Sequence, residues 1–519
     1  MFSKAYSAAV EGIHAFIVQV EADVSDGLPC IELVGLLGAE VREAKERVRV
    51  AIKNSEFHLP PKRITINLSP ADVRKEGTAF DLAIAISILT SSGHIPEDYL
   101  EKTLFIGELS LDAKLNRVNG VLPIVATAKE QGFLRCILPK ENAKEGAVIN
   151  GIEIIGVSNL QETFMYLLGA TNIEAEYVDV NQMFRNSLEK SYDVDFSEVS
   201  GQESVKRAIE IAVAGMHHLL MIGSPGTGKT MLAKRIPTVM PELSFEESIE
   251  LTKVCSVAGV MKENQSLVLS RPFRAPHHSI TKTALVGGGK YPQPGEISLA
   301  TNGVLFLDEL PEFDMSTLEL LRQPLEERNV VISRLNGTYQ YPANFMLVAS
   351  LNPCKCGYFP NRLRCHCSYS QIHRYLSHIS GPLLDRIDVF IETAPIEYKE
   401  LQKQEAIEGS KQIRERILLA RKVQMDRYSA EPFLFNSQLT PKKIAKYCAL
   451  DEEAKDLMES AFHRLQLSSR GFHRILKVAR TIADLEQSEE IKTKHLSEAI
   501  CYRSFEQKYW AEGAELVAR

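Results

Sequence analysis

The sequence predicts an α/β protein of several domains, and three observations carry that prediction. The apolar run Leu219-Leu220-Met221-Ile222 opens directly into a glycine-rich loop and then a helix-forming stretch. Strand-like and helical patterns alternate through the first 170 residues. Past residue 400 the pattern turns helical, with charged amphipathic stretches at 400–427, 441–466 and 471–486. At 519 residues the chain exceeds one ordinary domain.

Composition narrows the class. An apolar fraction of 45% and a charged fraction of 24% are those of soluble globular proteins. No apolar run reaches the roughly 18 residues that span a bilayer. Near the N-terminus, Ala15-Phe16-Ile17-Val18 is soon followed by Glu21 and Asp23, unlike an export signal. A cytoplasmic protein without membrane contact is expected. The net charge of −7 gives no whole-protein basic signature, so nucleic-acid binding would need a local surface or loops gathered by oligomerisation. Nine cysteines without an export signal do not suggest a disulfide framework.

In chain order, residues 1–170 read as an α/β domain, with strands at Ile64–Leu68 and Ile152–Ile155 and amphipathic helices at 38–53 and 79–91. Residues 171–197 are polar and acidic without a sustained period, and read as a linker. Residues 198–395 form the nucleotide-binding α/β core, and residues 396–519 a helical domain. The core holds Gly223-Ser224-Pro225-Gly226-Thr227-Gly228-Lys229-Thr230-Met231, a G-x-x-x-x-G-K-T phosphate loop. Its glycines let backbone N–H groups turn toward phosphates. Lys229 would reach the β- and γ-phosphates of ATP, and the Thr230 hydroxyl would hold Mg²⁺.

A second apolar run, Val304–Leu307, ends in Asp308 and Glu309. A carboxylate at the end of a neighbouring strand organises Mg²⁺, which suits Asp308, while Glu309 is suited to polarising the attacking water. A third strand-like run from Phe345 to Ser350 leads to Asn352, a polar group that could hold that water. Arg386 ends the helix-like segment Gly381–Leu384, where it could serve a neighbouring subunit's transition state or pair with Asp385 or Asp388. Arg470 opens a helix in the C-terminal block.

These motifs stand in the order of an AAA+ ATPase, and the connecting sequence resembles its magnesium-chelatase-like branch, specifically the YifB/ComM family. The stretches Arg271–His278, Pro294–Ala300 and Ser380–Arg386 carry the likeness, which covers essentially the whole chain. The resemblance implies that Asn352 is sensor 1, Arg386 a trans-acting arginine finger and Arg470 the sensor 2 arginine, with Arg474 a competing candidate. His218 departs from the family's asparagine. The long interval between Lys229 and Asp308 resembles the helix-2 insert of this branch, and residues 327–338 resemble the β-hairpin that follows. Around a ring, Lys282, Lys290 and Arg334 could form a cationic funnel on DNA; the alternative is solvated loop charge. His277 and His278 read as packing residues rather than metal ligands.

Cys354, Cys356, Cys365 and Cys367 form a C-x-C…C-x-C pattern, with His366 as a substitute ligand. Four thiolates can close tetrahedrally on a structural Zn²⁺, although this spacing is tighter than usual. Their neighbours Pro353, Lys355, Gly357, Pro360, Asn361 and Arg364 argue against burial as plain apolar groups. Unligated thiols and a redox role are the alternatives. Residues 20–165 resemble the Lon-protease-like (ribosomal S5 domain 2-like) fold, with Lys75–Asp81 at the nucleophile segment. The catalytic serine is replaced by Ala79 and the lysine by Leu122, so peptide hydrolysis is not expected.

The resemblance implies a homohexameric, ATP-driven DNA helicase that promotes branch migration in homologous recombination and natural transformation, acting on single-stranded or branched DNA with recombination proteins as further partners. A protein-remodelling or magnesium-chelatase-type motor acting on a partner subunit is the alternative.

Overall fold

The computed structural model describes residues 2–188, 192–262, 265–289, 292–334, 337–395, 408–431 and 433–510. Strands β1 (Phe2–Glu11) and β2 (His14–Ser25) form a long antiparallel hairpin, paired from Phe2 opposite Asp23 to Glu11 opposite His14. With β3 (Cys30–Val34), β4 (Arg63–Ser69), β5 (Thr103–Phe105), β6 (Arg135–Pro139) and β7 (Glu153–Val157), they make a mixed sheet in the order β3-β4-β2-β1-β5-β6-β7.

Helix α1 (Ala39–Asn54) is amphipathic as expected, burying Val41, Ala44, Val48, Ala51 and Ile52. Helix α2 (Asp81–Ser91) is not. Every one of its residues is buried, because β1 and β2 cover one side and α1 another. Asp81 is tolerated there because Arg47 donates two hydrogen bonds to its carboxylate, at 2.8 and 3.0 Å. Helix α3 (Val121–Glu130) lies at the junction with the next block.

The segment expected to be a plain linker contains helix α4 (Val180–Leu188). Val180, Met183 and Phe184 pack beside Leu122, Val148 and Leu267, so this segment helps close the junction. Its apolar positions are too few for the period to stand out in a polar sequence.

The nucleotide-binding block holds helix α5 (Glu203–Gly215) and strand β8 (Leu219–Gly223). Helices α6 (Lys229–Val239), α7 (Phe245–Val257) and α8 (Lys282–Val286) follow, with strands β9 (Phe273–Arg274) and β10 (Val304–Leu307) and helix α9 (Arg322–Glu327). The hairpin β11 (Asn329–Arg334) and β12 (Gly337–Pro342), then β13 (Met346–Leu351) and β14 (Val389–Thr393), complete it. A parallel sheet of five strands runs β9-β10-β13-β8-β14. The central strands β8, β10 and β13 are buried at every position, which is why they read as unbroken apolar runs. All five point their C-terminal ends the same way, and loops at that edge build the site.

The C-terminal helices are α10 (Ser410–Arg427), α11 (Glu452–Arg464), α12 (Ser469–Leu485) and α13 (Thr493–Trp510). The stretch expected at 441–466 is two helices, Pro441–Tyr447 and α11, divided where Asp451 caps α11 by accepting from Ala454 N at 2.8 Å. The start of the stretch expected at 400–427 lies outside the described residues. One apolar core joins these helices to the nucleotide block: Ile413, Ile417, Ala479, Ile482 and Leu496 cluster with Val205, Ile209, Leu219 and Ile236. Among the described residues no helix is long and apolar enough to cross a membrane.

Candidate nucleotide and metal sites

Strand β8 delivers the phosphate loop to the sheet edge, where Gly226 and Gly228 adopt φ of +78° and +85°. Gly223 meets a different constraint: a Cβ there would lie 2.0 Å from Thr393 Oγ1. Thr393 closes β14 opposite Gly223 and hydrogen-bonds Thr227 Oγ1 at 2.7 Å. Lys229 is buried, and its ammonium donates to Gly223 O at 2.7 Å, Ser224 O at 3.0 Å and Asn352 Oδ1 at 3.1 Å. Burial lowers its pKa, while Asp308 and Glu309 oppose that shift. The cation is therefore aimed into the loop rather than at solvent.

Thr230 Oγ1 donates to Asp308 Oδ2 at 2.6 Å, so the two groups expected to hold Mg²⁺ touch. An alcohol and a carboxylate are the hard oxygen donors this ion prefers, so the residues present fit it. Ser350 donates to the other oxygen of Asp308 and fixes its plane. Glu309 is exposed at φ +52°, a left-handed conformation that is costly for a non-glycine residue and holds it beyond Asp308. Lys229, Thr230, Asp308, Glu309 and Asn352 thus converge at one sheet edge.

The arginines do not join them. Arg386 precedes β14, whose five residues separate it from Thr393 by about 17 Å of strand. It is almost fully buried: Nη2 pairs with Glu326 at 2.7 Å, and Nε and Nη1 donate to Arg322 O and Pro382 O. Neither expected partner, Asp385 or Asp388, takes it. Arg470 lies beside it, 3.6 Å from the same Glu326 oxygen. Arg474 pairs with buried Asp388 at the opposite end of the sheet from the phosphate loop. The competing sensor candidate Arg474 is thus engaged by a buried carboxylate. His218 also belongs there: its Nδ1 accepts from Leu347 N at 3.1 Å, and burial lowers its pKa to about 3, so it is a neutral packing group.

The four cysteine sulfurs lie within 4.8 Å of one another, a set that fits one tetrahedral Zn²⁺. Cys354 and Cys365 are buried, within the apolar cluster that includes Phe359 and Leu351, while Cys356 and Cys367 sit at the rim. The loop touches the phosphate loop directly, since a Cβ on Gly357 would lie 2.4 Å from Pro225 Cδ.

Lys282 is exposed at the start of α8, and Arg334 is exposed at the end of β11. The insert and hairpin pack together, with a Cβ on Gly288 only 3.0 Å from an Arg334 nitrogen and Tyr341 Oη donating to Pro292 O at 2.7 Å. Lys290 lies outside the described residues. The rings of His277 and His278 lie against each other, 3.9 Å between centroids and tilted by 36°, and His277 hydrogen-bonds Ser279. In the N-terminal domain Ala79 lines a cleft of about 440 Å³ that Tyr339 and Tyr341 of the hairpin also line. Leu122 is buried in the junction, well packed and without reactive chemistry. Ser350, Thr393 and Gly357 were not singled out in the sequence. The only signal was polarity or a glycine at the end of an apolar run.

Three family models match successive parts of the chain: subunit ChlI of Mg-chelatase over residues 20–142, magnesium chelatase subunit ChlI over 195–401, and its C-terminal part over 407–503. With the phosphate loop and its carboxylates, they define a magnesium-chelatase-like AAA+ protein. The chain is 44% identical over 507 residues to competence protein ComM of Haemophilus influenzae, covering 96% of this chain and 97% of that protein. It is 40% identical over 503 residues to the uncharacterized protein YifB of Escherichia coli, with 96% and 97% covered. The chain belongs to the YifB/ComM family.

Proposed function

We propose that this protein is a ring-forming ATPase that drives DNA translocation and branch migration in homologous recombination and natural transformation. The observation that carries the reading is similarity to a competence protein along nearly the whole chain, joined to a hydrolytic constellation. Lys229 binds the terminal phosphates, Thr230 and Asp308 hold Mg²⁺, Glu309 polarises water and Asn352 orients it. Bound Mg²⁺ would neutralise charge on the β- and γ-phosphate oxygens. Arg386 and Arg470 stand too far from their own phosphate loop to serve it, which supports their action on a neighbouring subunit, most simply in a cytoplasmic homohexamer. Lys282 on the insert and Arg334 on the hairpin, both exposed, supply the DNA contact. Residues 1–170 are a Lon-like platform without protease chemistry, and residues 396–519 the helical lid. A structural Zn²⁺ on the four cysteines ties down the loop after Asn352.

The matches to chelatase models support a second reading, a motor that remodels a partner protein. ATPase assays with and without DNA separate the two. DNA should stimulate turnover, and ATP should drive unwinding of a forked or three-stranded substrate. Lys229→Ala should lose nucleotide binding or turnover, Glu309→Gln should bind ATP and stall, and Lys282→Ala/Arg334→Ala should lose DNA stimulation. No stimulation by any DNA would favour remodelling. Elemental mass spectrometry should find about one zinc per chain, and a content near zero would remove the metal.

A further inference from the structure

We propose that Glu326 is the positioning residue that sets Arg386 and Arg470 as a pair for the nucleotide of an adjoining subunit; this rests on the trans-acting role proposed above. Two cations from separate elements converge on one carboxylate oxygen, Arg386 from the turn before β14 at 2.7 Å and Arg470 from the first turn of α12 at 3.6 Å. Left alone, two guanidiniums this close would repel. The charge of Glu326, carried on α9, offsets that repulsion and fixes their spacing.

The surroundings make Glu326 the adjustable member of the group. Arg386 is held on its other nitrogens by the carbonyls of Arg322 and Pro382, and Glu326 completes its fixing by taking the remaining nitrogen, Nη2. Arg470 has no such support. Among the described residues its only ion pair is with Glu326, and its side chain is 56% exposed. Its helix does not favour it either, because the N-terminal end of α12 carries the positive end of the helix dipole, which repels a cation. Helix stability therefore does not explain an arginine at this position, whereas presentation of charge to a phosphate does. Glu326 is itself 44% exposed on its side chain and Arg386 only 7%, so Glu326 and Arg470 form the side of the cluster that opens to the outside of the subunit.

Glu326 touches no substrate. It acts by orienting two groups that would, and misplacing such groups by about 1 Å costs up to about 100-fold in activity. The test measures steady-state ATP hydrolysis by the full-length protein, with assembly followed by light scattering. Glu326→Ala should lower kcat by up to about 100-fold with KM for ATP changed less than about twofold. Assembly should be unchanged, and Glu326→Asp should recover part of the loss. In an Arg386→Ala/Arg470→Ala background, Glu326→Ala should have no further effect, because the residues act as a unit. If Glu326→Ala does not fold, the isosteric Glu326→Gln carries the same test. Wild-type kcat in the Glu326 variants while Arg386→Ala loses turnover would overturn the proposal alone. So would a full additional loss in the double-arginine background. Undiminished turnover by Arg386→Ala would overturn the trans reading, and this inference with it.

Discussion

Gly357 carries more of the nucleotide site than its place in the cysteine loop suggests. Its φ of +83° disfavours any L side chain, and a Cβ there would run into Pro225 of the phosphate loop. Gly357→Ala should therefore weaken ATP binding without removing any phosphate-contacting group. Fluorescent-nucleotide titration should show the loss, and unchanged affinity would mean the two loops are energetically independent. The rest of the site was legible to different degrees. Lys229, Thr230 and Asp308 could be read because a phosphate loop and its partner strand have fixed local spacing. Ser350 and Thr393 could not, because their roles come from parallel register, which sets Thr393 against Gly223 across residues distant in sequence.

At the scale of elements, β14 and α12 are joined by a buried charge cluster. His218 N donates to Asp388 Oδ2 at 3.1 Å, and Arg474 pairs with the other oxygen. Burial opposes ionisation of Asp388, but Arg474, together with His217 beside it, outweighs burial and holds its carboxyl well below the usual carboxylate range. A depressed folded-state pKa contributes stability that is fully present above the unfolded value, about pH 4, and is lost as pH falls through the folded value. Acid unfolding of wild type should steepen below about pH 4, and Asp388→Asn should flatten that limb. Near neutral pH, Asp388→Ala should cost about 3–5 kcal/mol by stranding Arg474, measurable by denaturant titration. Element recognition followed burial. Strands β8 and β10 are plain as apolar runs, whereas α13 falls in the block expected to be helical without a stretch of its own, since its buried face includes His495 and Arg503 among Leu496, Ala499 and Tyr502. Arg503 belongs inside because it donates to Ile387 O at 2.7 Å, a partner no local pattern reveals.

For the whole molecule, the sequence indicated three blocks, but not how tightly they would join. The N-terminal domain meets the nucleotide block through Gly120 N donating to Ser256 O at 3.2 Å, and through the β1–β2 turn, where a Cβ on Gly12 would lie 3.2 Å from Gln340 O on β12. The C-terminal helices share a single apolar core with β8 and α5. Among the described residues that shared core couples lid and sheet by continuous apolar packing. In the proposed ring each protomer would then behave as a keystone: a power stroke must be absorbed at the joints between neighbours, and any keystone that rocks carries its N-terminal platform and its channel hairpin with it.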